Sequence, residues 1–98
     1  MVTVGDIYNY IDTFAPFHTA MGFDNVGLLV GGKHCPVTSV MVSMDITPEV
    51  ISEAVSQKAE LIISHHPVIF QPLKRLSPTD VPYLLVQNGL CAIAAHQL

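Results

Sequence analysis

The residues of this chain best suited to chemistry are two adjacent histidines in the run Ser64-His65-His66-Pro67. Neutral imidazole nitrogens favour Zn, Fe, Ni and similar divalent ions, whereas Mg and Ca prefer oxygen. Neighbouring side chains on an extended chain project to opposite sides. Pro67 biases His66 towards extended backbone. Such rings chelate one ion less readily than histidines four apart on a helix. They suit two ions on either side of the backbone, or one ion and one hydrogen bond. A two-metal centre is therefore the expectation. A metal-free general base is the other use of these rings. No activated nucleophile accompanies it: there is no G-x-S-x-G turn and no defensible Ser-His-Asp order.

The elements around the pair decide what else can join it. Val4, Ile7, Tyr8, Ile11 and Phe14 share one face of a helix over 3–14, capped by Thr3 and Asp6 and ended by Pro16. Residues 17–23 read as irregular, with a short helical turn. Asp24-Asn25 signals a turn before a short strand, 27–30. Gly31-Gly32-Lys33 lacks the spacing of a phosphate loop and reads as a hairpin turn. Residues 37–44 read as a strand, with Val40, Val42 and Met44 on one face. Thr47-Pro48-Glu49 opens a helix whose buried stripe is Val50, Ile51, Ala54 and Val55. Residues 60–64 and 90–95 read as buried strands, separated by a Pro-containing loop and a helix of about ten residues from Asp80. Asn88-Gly89 stops that helix.

The order from residue 37 is β-α-β-α-β. It predicts an α/β fold with a mostly parallel sheet flanked by helices, plus the N-terminal helix and the short extra strand. That extra strand, 27–30, is expected to lie antiparallel beside the strand at 37–44. Ligands bind beyond the carboxyl ends of parallel strands. The three strands run out at Asp45, at Ser64-His65-His66 and at His96. His65 and His66 are the expected metal ligands. His96 is a further ligand or a hydrogen-bonding support for the site. Asp45 joins this edge and is read first as a helix-start or strand-end cap. His18 and His34 lie in loops and read as solvated. His34-Cys35 has too few companions for a metal site.

Composition narrows the function classes. Hydrophobic residues make up 50% of the 98 and charged residues 12%, against roughly 25% charged in ordinary soluble domains. So little charge implies that part of the surface is covered by a partner or by further chain. No apolar run approaches the roughly 20 residues a membrane-spanning helix needs, and the N-terminus has no signal-peptide pattern. A cytoplasmic, non-membrane protein is expected. The net charge is −4, and Lys33, Lys58, Lys74 and Arg75 form no patch, which argues against nucleic-acid binding. Cys35 and Cys91 form no C-x-x-C pair and fit a reducing compartment. Cys91 reads as a small buried side chain.

Several segments, in order, resemble the Nif-three-like family, the GTP cyclohydrolase 1 type 2 homologues. They are Asp24-Asn25-Val26-Gly27-Leu28-Leu29-Val30-Gly31, Val42-Ser43-Met44-Asp45-Ile46-Thr47, Leu61 through Phe70 with its central Ser64-His65-His66-Pro67, and the strand into Ala95-His96. Phe23 stands where the family commonly has Trp. The resemblance implies a dinuclear centre of divalent ions (Zn, Fe, Mn or Ni) with His65 and His66 as ligands. It also implies a homo-oligomer, hexameric in the family, and a small-molecule substrate such as a nucleotide or other heterocycle. In the family an Asp shortly after the position of His96, and a later His and Glu, complete the ligand set. The chain is thus expected to be one α/β domain, 1–98, forming the N-terminal part of a longer fold. The leading functional expectation is a metal-dependent hydrolase. The alternative is a non-catalytic regulatory or interaction protein with a structural metal, or a truncated inactive fragment.

Overall fold

The computed structural model describes residues 1–19 and 25–96. The elements are α1 (Val4–Phe14), a single 3-10 turn (Phe17–Thr19), β1 (Gly27–Val30), β2 (Val40–Ser43), α2 (Pro48–Ser56), β3 (Leu61–Ser64), α3 (Val81–Gln87) and β4 (Cys91–Ala94). The expected α/β class holds: a four-stranded mixed sheet in the order β1-β4-β3-β2, with β2, β3 and β4 parallel and β1 antiparallel. The expectations for Asp24 and Phe23 lie outside the described residues.

Local chemistry explains the helices. Thr3 and Asp6 form a reciprocal capping box at α1, with Asp6 N–H donating to Thr3 Oγ1 at 3.2 Å and Thr3 N–H to Asp6 Oδ2 at 2.9 Å. Thr47 Oγ1 accepts from Val50 N–H at 3.2 Å, and Pro48 opens α2. α3 is shorter than expected, and Asp80 does not cap it through its side chain. Its carboxylate turns back to Ser77 N–H at 2.8 Å and holds the preceding turn instead. Gly89, at φ +68, supplies the left-handed residue that ends this helix.

The sheet divides the core in two. α1 packs on one face through Val4, Ile11 and Ala15 against Leu61, Ile63, Cys91 and Ile93. α2 and α3 cover the other through Ile51, Ala54 and Leu85 against Ile62 and Ala92. All four residues of β3 and of β4 are buried, as strands covered on both faces must be. The α2 stripe is narrower than expected, because Val55 is exposed. The face of β2 carrying Val40, Val42 and Met44 is also exposed, since α1 does not reach that edge of the sheet.

The placement expected for 27–30 is corrected. β1 pairs with β4, Gly27 opposite Ala94 and Leu28 opposite Ile93, with a register shift before Val30. β2 sits at the opposite edge. Gly31-Gly32-Lys33 is therefore not a hairpin turn. It begins a connection that crosses under the start of α1. Val4 N–H donates to Cys35 O at 2.9 Å, Gly5 N–H to Lys33 O at 2.8 Å, and Val37 N–H to Val2 O at 2.8 Å.

One carboxylate fastens the entry of β2 to that of β3. Glu60 accepts from the N–H of Thr38 at 2.9 Å, from the N–H of Ser39 at 3.0 Å and from the hydroxyl of Thr38 at 2.9 Å. The Thr38 and Ser39 amide donors hold its pKa below the ordinary 4.5. A carboxylate with a lowered folded pKa stabilises the fold above its ordinary value, and that contribution is lost as pH falls through the folded one. Glu60→Gln is expected to unfold at lower urea than the parent at neutral pH. The gap should close on acidification below 4.5. Urea midpoints at both ends of that range check it, and a pH-independent gap would refute the assignment.

Candidate metal centre

Register fixes the site. Ser43, Ser64 and Ala94 lie side by side at the ends of β2, β3 and β4. Two residues beyond each stand Asp45, His66 and His96, so the three strands deliver them to one edge. Serines shape two of the exits. Ser43 Oγ donates to Asp45 O at 2.8 Å, and its register partner Ser64 donates to His66 O at 2.7 Å. Each hydroxyl thereby curls its strand end back on itself. Ser64 is 1% exposed, so its hydroxyl needs that partner. The main chain of the histidine pair is pinned to β2, His65 N–H to Ser43 O at 3.2 Å and His66 N–H to Met44 O at 3.0 Å.

The side chains gather at this edge. The His65 and His96 rings lie 4.3 Å apart at 33°. The His65 and His66 rings lie 4.9 Å apart at 69°. The expectation that neighbouring rings would point to opposite sides is thus corrected. β3 ends at Ser64, and the serine-held bend brings the two rings together.

Asp45 is more involved than its reading as a cap allowed. Its Oδ1 lies 2.8 Å from His66 Nδ1. A carboxylate can only accept, so Nδ1 carries the proton and, in the neutral ring, Nε2 keeps its lone pair. Carboxylates commonly orient metal-binding histidines in this way. Both side chains are about half exposed, 51% for His66 and 59% for Asp45, so the contact orients the ring more than it stabilises the fold. Strand order placed Asp45 at this edge, but its pairing with His66 depends on the register of β2 on β3. The two serine contacts are local, each from a hydroxyl to the carbonyl two residues on.

Beside His65 lies a pocket of about 290 Å³, with Val42, Met44 and Ile63 giving an apolar lining and Ser43 and Ser64 completing it. His18 and His34 are exposed and stand outside the cluster.

The donor types at this edge fit a borderline divalent ion. Their arrangement fits less fully. Among the described residues no three His, Cys, Asp or Glu side chains form a group that could hold a metal ion. The lone pair of an imidazole lies in the ring plane, so the tilted, stacked rings of His65 and His96 do not converge on one point. This edge presents a partial ligand set.

Residues 2–97 match the model of the Duf34/NIF3 (NGG1p interacting factor 3) family. The chain belongs to that family. It is 46% identical over 98 residues to a Clostridium perfringens GTP cyclohydrolase 1 type 2 homolog, covering 95% of this chain and 37% of the relative. A Staphylococcus aureus protein of the same name is 38% identical over 96 residues, covering 95% of this chain and 26% of the relative. Among solved structures, a Bacillus cereus protein related to NIF3 superposes with a TM-score of 0.89 at 33% identity, over 95% of this chain and 27% of that one. The chain therefore spans about a quarter to a third of the length of these relatives.

Among the described residues no helix is long and apolar enough to cross a membrane.

Proposed function

We propose that this chain supplies the histidine half of a divalent-metal centre in a cytoplasmic, homo-oligomeric, metal-dependent hydrolase acting on a small molecule. The observation that carries the reading is the placement of three imidazoles and one carboxylate together at the carboxyl edge of three parallel strands. His65 and His66 would hold metal. His66 does so through Nε2, with Asp45 fixing its tautomer. His96 packs on His65 and sets its ring. The partial ligand set calls for donors from outside the described residues, in keeping with relatives of which this chain covers 26% and 37%. Zn, Fe, Mn or Ni bound there would supply a water of lowered pKa and polarise a substrate oxygen. The pocket beside His65 lies at the lower end of ligand-site volumes, which run from about 300 Å³ upward, and its apolar lining suits a small, partly apolar substrate.

Titration calorimetry with zinc or manganese tests the reading. The parent chain is expected to bind. His65→Ala combined with His66→Ala should abolish binding while the circular dichroism spectrum stays that of the parent. Equal metal uptake by the double variant would refute the assignment. Metal that raises the melting temperature with no hydrolysis in any longer chain carrying this segment would favour a structural ion instead.

A further inference from the structure

The two cysteines, far apart in sequence, meet in the fold. Cys91 opens β4 and is 4% exposed in the core beneath α1. Cys35 is partly buried and packs against the same cluster. The connection that begins at Gly31 wraps around the Cys91 thiol. A Cβ on Gly31 would stand 2.3 Å from Cys91 Sγ. The Gly32 amide and the Cys35 side chain are the neighbours that act on that thiol. A turn closed by Cys35 N–H on Gly32 O at 3.2 Å, together with Val4 N–H on Cys35 O at 2.9 Å, holds Cys35 in place. Both thiols are free.

We propose that Cys35 and Cys91 form a reversible dithiol–disulfide pair that covalently ties the connection beneath α1 to β4. The oxidant class is a small-molecule disulfide such as oxidised glutathione. Cys35 is the more accessible sulfur and reacts first. Its thiolate attacks one sulfur of the oxidant, forms a mixed disulfide and expels one glutathione thiolate. Cys91 then gives up its proton to solvent and attacks the Cys35 sulfur, expelling the second thiolate. Two protein thiols are oxidised by two electrons, and one disulfide becomes two thiols. Cys91 is 4% exposed and burial pushes its thiol above its ordinary pKa, so an outside oxidant meets Cys35 first.

Oxidised glutathione added to the reduced full chain tests this by intact mass and non-reducing peptide mapping. The expected product has lost the mass of two hydrogens, yields one peptide pair joining Cys35 and Cys91, and reverts with dithiothreitol. Cys91→Ala should instead stop at a stable glutathione adduct on Cys35, and Cys35→Ser should not react. A persistent adduct on Cys35 in the parent chain, a disulfide-linked dimer, or no reaction would each overturn the proposal.

Discussion

Gly31→Ala is expected to cost this chain about 2–6 kcal/mol, or to prevent folding. Two penalties combine there. The residue sits at φ +98, a conformation that costs a side-chain-bearing residue about 1–3 kcal/mol. The added methyl would also lie 2.3 Å from Cys91 Sγ, 2.9 Å from Cys91 Cβ and 3.2 Å from Cys91 Cα. The last of these is backbone in a buried strand of the sheet, so it cannot swing aside as a flexible side-chain tip would. Overpacking of that kind adds about 1–3 kcal/mol. A domain of this size has about 5–15 kcal/mol in total, so a large share of its margin would go. The comparison variant is Gly89→Ala, where φ is +68 but nothing lies within 4 Å of the added atom. It should show the backbone penalty alone. Urea unfolding of both variants checks the difference, and equal losses would mean that Gly31 is not pressed against Cys91.

The same glycine shows where the sequence stops being readable. Gly31-Gly32-Lys33 between two apolar runs looks like the turn of a hairpin, and locally nothing contradicts that. The structure sends β1 and β2 to opposite edges of the sheet. β1 joins the free edge of β4 rather than that of β2, and the information that selects between the two edges is spread over the whole chain. The helices were readable because their signals are local. Thr3 with Asp6, and Thr47 with Pro48, act within one turn. The start of α3 is less regular: the Asp80 side chain makes no cap bond to the helix and instead accepts from Ser77 N–H at 2.8 Å.

The site divides along the same line. That Asp45, His65, His66 and His96 reach one edge followed from strand order alone. How their rings meet did not. Alternation predicts opposite directions for His65 and His66, and it holds only while the chain stays extended. The Ser64 hydroxyl ends the extension by bonding to His66 O at 2.7 Å, and the rings come within 4.9 Å of each other. The pairing of Asp45 with His66 follows from the register of β2 on β3, which no local pattern encodes. A position read as a cap thus becomes the group that sets a tautomer.

Ile62→Ala is expected to lower stability by about 2–5 kcal/mol, the range for removing a large buried aliphatic side chain. Ile62 lies in β3, flanked by Met41 of β2 and Ala92 of β4. It is 0% exposed and packs in the cluster with Ile51 and Ala54 of α2 and Leu85 of α3. The strands on either side and the helices above hold their places through other contacts, so the space left cannot fully close. For a domain near this length each kcal/mol moves the melting temperature by about 4–8 °C, so a fall of more than about 10 °C should be seen. Val42→Ala provides the contrast. Val42 is one strand away, registers with Ile63, and is 70% exposed on the face that α1 leaves open. Its truncation should change stability by about 0.5 kcal/mol or less. Thermal unfolding of the pair by circular dichroism distinguishes a two-faced core from a one-faced one. A large loss at Val42 would show that the open face of β2 is covered in solution, and a small loss at Ile62 would refute the packing of α2 and α3 on the sheet.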